Sequence, residues 1–210
     1  MESLILHTYF PQLSDDQKEK FENLLPLYKY WNEQINVISR KDIEELYIHH
    51  VLHALTVIPF YPLVEKAEIL DLGTGGGFPG IPLAIFYPDV QFTMIDGTAK
   101  KIKVVNEIIK ELGLENTRAF AQRAEETKNK FDMVLTRGVS NVSQLLLWSR
   151  PLLKKKHIHA YPNGLIAYKG GDLRKELKEL QRGEYYEKRD IHELFALDFF
   201  KEKYIIYIQG

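Results

Sequence analysis

The 210-residue sequence contains no cysteine and no uninterrupted apolar run of about 18 residues. The lack of cysteine excludes disulfides, cysteine-ligated zinc or iron–sulfur sites, and thiol catalysis. The lack of a long apolar run, together with an amino-terminal segment that has no basic region, predicts neither a membrane span nor a secretion signal. We therefore expect a cytoplasmic protein with one hydrophobic core, because 45% of its residues are hydrophobic.

Net charge is also nearly absent, but the charge is unevenly distributed along the chain. The formal total is −1. Residues 98–182 contain 18 lysines and arginines against 9 aspartates and glutamates, whereas the rest of the chain contains 10 against 20. A basic segment of this kind is compatible with nucleic-acid binding, and equally with solvated helix faces.

Residues 1–65 are predicted to form a helical extension. Ser14 and Gln17 match a capping box, and apolar residues follow at helical spacing over 14–35. Pro26 conflicts with this pattern, because a proline inside a helix should kink or split it.

A second helix is expected from a cap at Asp42 to the residue before Pro59. Over 66–210 the pattern changes, and short apolar runs alternate with helical periods. This alternation predicts βαβ units and a parallel sheet in an α/β domain. Segments 183–193 and 203–209 have little helical pattern between them and are compatible with a closing β-hairpin.

Residues 69–80, with the sequence I-L-D-L-G-T-G-G-G-F-P-G, indicate a buried strand that runs into a glycine-rich turn and then a helix. Glycine permits a sharp turn and a close approach of a ligand to the backbone. The following helix begins with amides that have no intrahelical partner. In an open α/β sheet such a turn lies at the carboxyl end of the strand, where ligands bind.

The glycines alone are compatible with a dinucleotide, with S-adenosylmethionine, or with a structural turn that binds nothing. Asp71 favours S-adenosylmethionine, because a carboxylate before the first glycine attracts an ammonium or sulfonium group and repels a pyrophosphate. Asp96, at the end of the next predicted strand, is suited to accept hydrogen bonds from ribose hydroxyls. We therefore predict S-adenosylmethionine rather than NAD, in a pocket that includes Gly75 and Gly77.

Five sequence blocks then occur in the order typical of a known family. They are W-N at 31–32 with I-N-V-I-S at 35–39, D-L-G-T-G-G-G-F-P-G-I-P-L-A at 71–84, R-A-E at 123–125, T-R-G at 136–138 and Y-K-G at 168–170. With these blocks the sequence resembles the bacterial 16S ribosomal RNA guanine-N7 methyltransferases, the glucose-inhibited division protein B family. The resemblance implies a Rossmann-like methyltransferase fold, with seven mostly parallel strands and an antiparallel last strand. It also implies 16S rRNA, in the small subunit or an assembly intermediate, as the substrate. We expect the protein to be a monomer.

The resemblance assigns roles to single residues. It implies cofactor contacts at Gly73, Phe78, Ala124, Glu125 and Arg137, with Arg137 facing the methyl-transfer centre in a positioning role. Guanine N7 carries a free lone pair, so transfer removes no proton and no general base is expected. An isolated strand-end arginine, by contrast, more often pairs with a nearby acid.

The sequence departs from the family pattern in two places. H-H-V-L-H-A-L at 49–55 replaces a block R-H-[IL]-x-D-S-[LI], and the segment before the fifth strand is lengthened over 154–164. His49 and His53 have the spacing of two metal ligands on one helix face, but no accompanying acid follows. We therefore expect packing histidines and no metal site.

The basic residues near the predicted active-site loops are candidates for RNA contact. They are Lys100, Lys101, Lys103, Arg123, Lys154, Lys155, Lys156, Lys169 and Arg174. The alternatives are a small-molecule methyltransferase, a non-catalytic RNA-binding module and, more distantly, an NAD-dependent dehydrogenase. The basic segment disfavours the first, and the glycine turn with Asp96 disfavours the second.

Overall fold

The computed structural model describes residues 3–180 and 183–210, and a seven-stranded sheet forms its centre. The strands are β1 Glu68–Leu72, β2 Gln91–Asp96, β3 Thr117–Ala121, β4 Met133–Arg137, β5 Gly164–Gly170, β6 Tyr186–Asp190 and β7 Lys203–Gln209. Their order is β3-β2-β1-β4-β5-β7-β6. β1 to β5 pair in parallel, and β7 runs antiparallel to both β5 and β6. The predicted fold, with its antiparallel last strand, is confirmed.

Helices precede the sheet and connect its strands. They are α1 Leu4–Tyr9, α2 Asp15–Gln34, α3 His53–Leu55, α4 Gly80–Phe86, α5 Ala99–Glu111, α6 Val142–Ser149 and α7 Arg174–Lys178, with a π-helical segment, Tyr47–Leu52, directly before α3. Across residues 3–180 and 183–210, no helix is both long enough and apolar enough to cross a bilayer.

The long helix α2 begins as predicted, since Ser14 and Gln17 form a reciprocal capping box. Of the two expected effects of Pro26, a kink or a split, the split does not occur, because α2 continues through this residue. A proline has no amide hydrogen, so the carbonyl four residues earlier, that of Glu22, loses its helical donor. The Tyr47 hydroxyl lies 2.9 Å from the Phe21 carbonyl and 3.1 Å from that of Glu22, so its single hydrogen is shared between them and partly replaces the missing donor.

The second predicted helix begins later than expected. Residues 39–45 form turns, and the helical segment starts at Leu46. Asp42 is not a cap, because its carboxylate contacts two imidazoles instead. Oδ1 lies 2.6 Å from Nδ1 of His49, and Oδ2 lies 3.4 Å from Nε2 of His50.

Two hydrophobic clusters cover opposite faces of the sheet. Ile69 belongs to a large cluster that includes Phe21 and Leu24 of α2. Leu70, the next residue of β1, belongs to a smaller cluster that includes Leu145 of α6. Successive strand residues point to opposite faces, so this division follows from the strand geometry. The amino-terminal helices therefore share a core with one face of the sheet, and the domain division at residue 65 stays a prediction.

Candidate active site

Two neighbouring cavities open at the carboxyl ends of β1, β2 and β4. The larger has a volume of 430 Å³ and the smaller 240 Å³. They share four lining residues, Gly73, Asp96, Gly97 and Val139. The two cavities therefore adjoin each other around these four residues.

Most of the predicted cofactor contacts line these cavities. They are Gly73, Gly75, Phe78, Asp96, Ala124, Glu125 and Arg137. The alternation of strands and loops brings them together, because parallel strands present their carboxyl ends at one edge of the sheet. Asp71 and Gly77 lie behind the cavity wall instead of on it.

Asp71 is fully buried beneath the glycine loop. Its Oδ2 accepts hydrogen bonds from the Thr74 hydroxyl at 2.6 Å and the Gly80 amide at 2.8 Å. Burial raises the pKa of Asp71 to about 6, although these two hydrogen bonds and the charge of Arg137 oppose the shift. Asp71 thus fastens both ends of the loop, and a direct contact with a ligand stays a prediction.

Gly77 shapes the loop from behind. Its φ is +96°, and a Cβ there would lie 2.4 Å from Cδ1 of Ile81. Tyr28 of α2 supports the same loop, because its hydroxyl donates to the Gly76 carbonyl at 2.6 Å and its ring stacks on Phe78 at 5.0 Å. The loop conformation therefore depends on a residue of α2 that lies 48 positions earlier in the sequence.

Asp96 ends β2 and borders both cavities. Its Oδ2 accepts a hydrogen bond from the Gly75 amide at 3.0 Å, and its Oδ1 accepts one from the Thr98 amide at 2.8 Å. Each carboxylate oxygen has two lone pairs, so one acceptor position on each remains. The carboxylate can hold the loop and accept hydroxyl donors from a ligand at the same time.

Arg137 ends β4 and lies on the wall of the larger cavity. Its Nη1 donates to the His49 carbonyl at 3.1 Å, and its Nη2 donates to Nδ1 of His50 at 2.8 Å. The guanidinium carbon lies 5.3 Å from the centre of the Phe78 ring. Burial lowers the pKa of Arg137, while the Tyr168 hydroxyl and Asp71 oppose this change. Neither of these hydrogen-bond partners is an acid, so the alternative interpretation, in which a strand-end arginine pairs with a nearby carboxylate, is not what the described residues show.

Comparison with known proteins decides the family. A family model described as rRNA small subunit methyltransferase G matches residues 17–200. The chain belongs to this family. A protein named ribosomal RNA small subunit methyltransferase G from Christiangramia forsetii is 45% identical, over 97% of this chain and 95% of its own length. One of the same name from Phocaeicola vulgatus is 46% identical, over 95% of each chain. The predicted family and enzyme class, a methyltransferase, are confirmed.

Solved structures of distant proteins show the same fold. A precorrin-6y C5,15-methyltransferase from Geobacter metallireducens superposes with a TM-score of 0.55 at 13% identity, covering 84% of this chain and 92% of its own. A ribosomal protein L11 methylase from Lactobacillus delbrueckii superposes with a TM-score of 0.55 at 14% identity, covering 75% and 76%. At these identities the likeness concerns the fold alone.

In this member of the methyltransferase G family, part of the predicted basic surface frames the cavities. Lys101 lines the larger cavity, and Arg123 lines the smaller one. Lys100 and Lys103 are exposed near the amino end of α5, directly after Asp96. These four cations are therefore accessible at the carboxyl edge of the sheet.

Two other predicted cations at this edge are already paired. Lys169 is largely buried, and its Nζ donates to the Ser140 carbonyl at 2.6 Å and to Oε1 of Glu176 at 2.5 Å. Arg174 is exposed, but it forms an ion pair with Asp172 at 2.7 Å. Lys169 consequently holds the loop after β4 to α7, while Arg174 forms only a solvent-exposed ion pair.

The structure does not bring Lys154, Lys155 and Lys156 to the cavities, which corrects the expectation of one lysine track beside the active-site loops. Lys154 Nζ lies 2.9 Å from both Oε2 of Glu68 and Oδ2 of Asp132, at the amino ends of β1 and β4. The amino and carboxyl ends of such strands are roughly 15 Å apart. The reason is topological, because the segment leads into the amino end of the parallel strand β5.

The cavity residues that were not assigned to the site from the sequence include Val37, His50, Val139 and Trp148. Val37 and His50 reach the site because the segment after α2 folds over the glycine loop. Asn32 holds this segment, since its Oδ1 accepts hydrogen bonds from the amides of Val37 and Ile38 at 2.8 and 3.0 Å. The block of W-N at 31–32 with I-N-V-I-S at 35–39 pointed to this segment, and Val37 lies within it.

The histidines considered as metal ligands have packed surroundings. His49 stacks on Phe199 with the ring centres 3.9 Å apart. His53 is buried with edge-on contacts to Tyr168 and Phe200. The described residues contain no group of three side chains suited to hold a metal ion. The absence of a metal in this family member stays a prediction.

Proposed function

We propose that the chain transfers the methyl group of S-adenosylmethionine to N7 of a guanine in 16S rRNA. The observation that carries this proposal is the joined pair of cavities at the carboxyl edge of the sheet, in a member of the rRNA small subunit methyltransferase G family. The relatives' names specify small-subunit rRNA, and guanine N7 follows from the resemblance of the sequence blocks. We retain cytoplasmic location and a monomeric state as predictions.

The residues present suit S-adenosylmethionine, whose sulfonium makes the methyl group electrophilic. The smaller cavity has the apolar side chains of Ile95 and Trp148 for an adenine ring, beside Ala124 and Glu125. Asp96 stands between the cavities with free acceptor positions for ribose hydroxyls. This assignment accounts for the two-part shape of the site.

The larger cavity would hold the methionine part and the target base. Arg137 offers a cation for the methionine carboxylate. The glycine loop allows close approach because no Cβ projects from Gly73 or Gly75. Phe78 and Val37 provide apolar walls that exclude water from the reacting atoms.

The chemistry requires positioning and not proton transfer. Guanine N7 is a bare acceptor in the major groove, and it attacks the methyl carbon while the carbon–sulfur bond breaks. The chain therefore has to hold the nucleophile in line with the methyl group, at roughly 3–3.5 Å, before reaction. His50 has no role as a base in this scheme, although burial and Arg137 lower its pKa to about 4.

The RNA would approach the carboxyl edge of the sheet. Lys100, Lys101, Lys103 and Arg123 surround the cavity openings there, and cations of this kind neutralise phosphates. This surface does not include Lys154 to Lys156, which lie at the amino ends of the strands, or Lys169, which is paired with Glu176. Arg174 stands at its margin.

The direct test is to map 7-methylguanosine in 16S rRNA from cells with and without this gene. We expect one guanine to lose its methyl group in the deletion strain and to regain it when the gene is restored. A gene that encodes Arg137→Ala should fail to restore it although the protein accumulates. Unchanged methylation at every guanine in the deletion strain contradicts the proposal.

A further inference from the structure

A chain of polar contacts leads from the surface to the wall of the larger cavity. Asp42, whose side chain is 41% exposed, has Oδ2 3.4 Å from Nε2 of His50, which is an ion-pair distance without hydrogen-bond geometry, and Oδ1 2.6 Å from Nδ1 of His49. His50 is more deeply placed, with a side-chain exposure of 14%. Its Nδ1 lies 2.8 Å from Nη2 of Arg137. The loop after α2, the π-helical segment and β4 each contribute one member.

The direction of the hydrogen bond follows from chemistry. An arginine guanidinium only donates, so Nδ1 of His50 must be the acceptor, and the ring proton must sit on Nε2, facing Asp42. Burial, first, and the charge of Arg137, second, lower the pKa of His50 to about 4, whereas Asp42 raises it. The imidazole is therefore neutral near neutral pH, as an acceptor at Nδ1 requires.

The contact with His50 leaves most of the N–H donors of Arg137 free for a ligand. A guanidinium has five N–H donors, and the two hydrogen bonds to His49 and His50 engage only one donor on each Nη. A carboxylate in direct contact would instead neutralise the cation and fill its fork. A neutral imidazole orients Arg137 while leaving it charged toward the cavity.

We propose that Asp42 and His50 are positioning residues that hold Arg137 in the orientation needed to bind the anionic group of the cavity ligand. The proposal rests on the proposed function, because that ligand is taken to be S-adenosylmethionine. His50 acts through Arg137, and Asp42 acts through His50. Neither residue contacts the reacting atoms.

The test is a set of double-mutant cycles on the full-length chain. His50→Leu removes the acceptor, whereas His50→Gln keeps an acceptor for Arg137 and a donor for Asp42. We expect His50→Leu to weaken binding of S-adenosylhomocysteine about tenfold in calorimetry, and His50→Gln to recover most of this loss. In an Arg137→Ala background, His50→Leu should have no further effect, because the residue through which it acts is gone.

Asp42→Asn tests the same series of contacts from its other end, without replacing a buried ring. It should weaken S-adenosylhomocysteine binding by roughly two- to fivefold in the wild type and not at all in the His50→Leu background. His159→Leu is the matched control, since it removes a buried histidine that stacks on Tyr161, before the amino end of β5 and away from the cavities. It should bind S-adenosylhomocysteine like the wild type.

Nitrogen NMR of the ligand-free protein measures directly which ring nitrogen of His50 carries the proton. We expect the His50 ring to be protonated at Nε2 and unprotonated at Nδ1 at neutral pH, and the Nδ1 signal to shift in Arg137→Ala. A proton on Nδ1, or additive losses in the cycles, overturns the inference. If the NMR result holds but the wild type binds no S-adenosylhomocysteine and methylates no rRNA, the proposed function fails and the positioning of Arg137 stands.

Discussion

Asp96 borders both cavities and also accepts hydrogen bonds from the Gly75 and Thr98 amides. We predict that Asp96→Ala weakens S-adenosylmethionine binding by roughly 1.5–3 kcal/mol, because charged hydrogen bonds to the ribose are lost. Calorimetry measures this change. Asp96→Asn keeps one oxygen acceptor and should lose less.

A comparison ligand tests the specificity of the site. NAD serves as the comparison ligand, and the wild type should not bind it. Equal affinities of the wild type and Asp96→Ala for S-adenosylmethionine would place the carboxylate outside the ligand site.

Asp71 makes the stability of the protein depend on pH. Its pKa in the folded state is raised to about 6, above the ordinary aspartate value of 3.8. The folded state therefore holds the proton more tightly than the unfolded state between these values. The stability that the protonated group contributes is fully present below pH 4 and is lost as the pH rises through about 6.

We predict that Asp71→Asn is more stable than the wild type at pH 7, by on the order of 3 kcal/mol at most. An asparagine oxygen still accepts from Thr74 and Gly80 but carries no buried charge. Urea unfolding at several pH values measures the difference. A gap between the two proteins that stays constant from pH 4 to 7 argues against ionisation of Asp71.

At the scale of elements, α2 acts as a support for the glycine loop. The Tyr28 hydroxyl donates to the Gly76 carbonyl within a buried contact. We predict that Tyr28→Phe lowers the free energy of unfolding by about 1–1.5 kcal/mol and weakens S-adenosylhomocysteine binding severalfold, because the loop loses an attachment. Urea unfolding and calorimetry provide the two readings.

Tyr207→Phe is the matched control for this element. Its hydroxyl donates to the Pro162 carbonyl at 2.8 Å, before the amino end of β5 and away from the cavities. It should reduce stability by a similar amount and leave ligand affinity unchanged. If both variants bind S-adenosylhomocysteine equally, α2 has no influence on the loop.

At the scale of the whole molecule, the carboxyl and amino ends of the parallel strands form two sides of the sheet with different groups of lysines. The carboxyl edge carries the cavities and the lysines of α5, while the amino edge carries Lys154 to Lys156. We predict that Lys100→Ala/Lys103→Ala reduces the slope of log RNA affinity against log salt by about 1.4–1.8, because two phosphate contacts are lost. Filter binding of 16S rRNA over a salt series measures the slope.

Lys155→Ala/Lys156→Ala removes the same charge from exposed positions at the amino edge. It should leave the slope near the wild-type value, and both double variants should keep their affinity for S-adenosylhomocysteine. The opposite result, with the larger effect at Lys155 and Lys156, would move the RNA surface to the amino edge.

Much of the fold could be predicted because its signals are local. The apolar run that forms β1, the glycine loop after it and the Ser14–Gln17 capping box each depend on neighbours within a few residues. The continuity of α2 through Pro26 could not be predicted, for the opposite reason. The Tyr47 hydroxyl, which partly replaces the missing donor, lies 25 residues along the sequence from the Glu22 carbonyl.

Some residues of the candidate site could be predicted from local sequence, whereas others reach it only through tertiary packing. The sequence by itself determined the family, the sheet and the strand-end residues such as Asp96 and Arg137, since parallel strands present their carboxyl ends together. Only the tertiary structure decided that His50, 87 residues from Arg137, holds its guanidinium. It also decided that Lys154 faces the opposite edge from Lys101. Such contacts arise when distant segments pack, and no local spacing of residues encodes which segments meet.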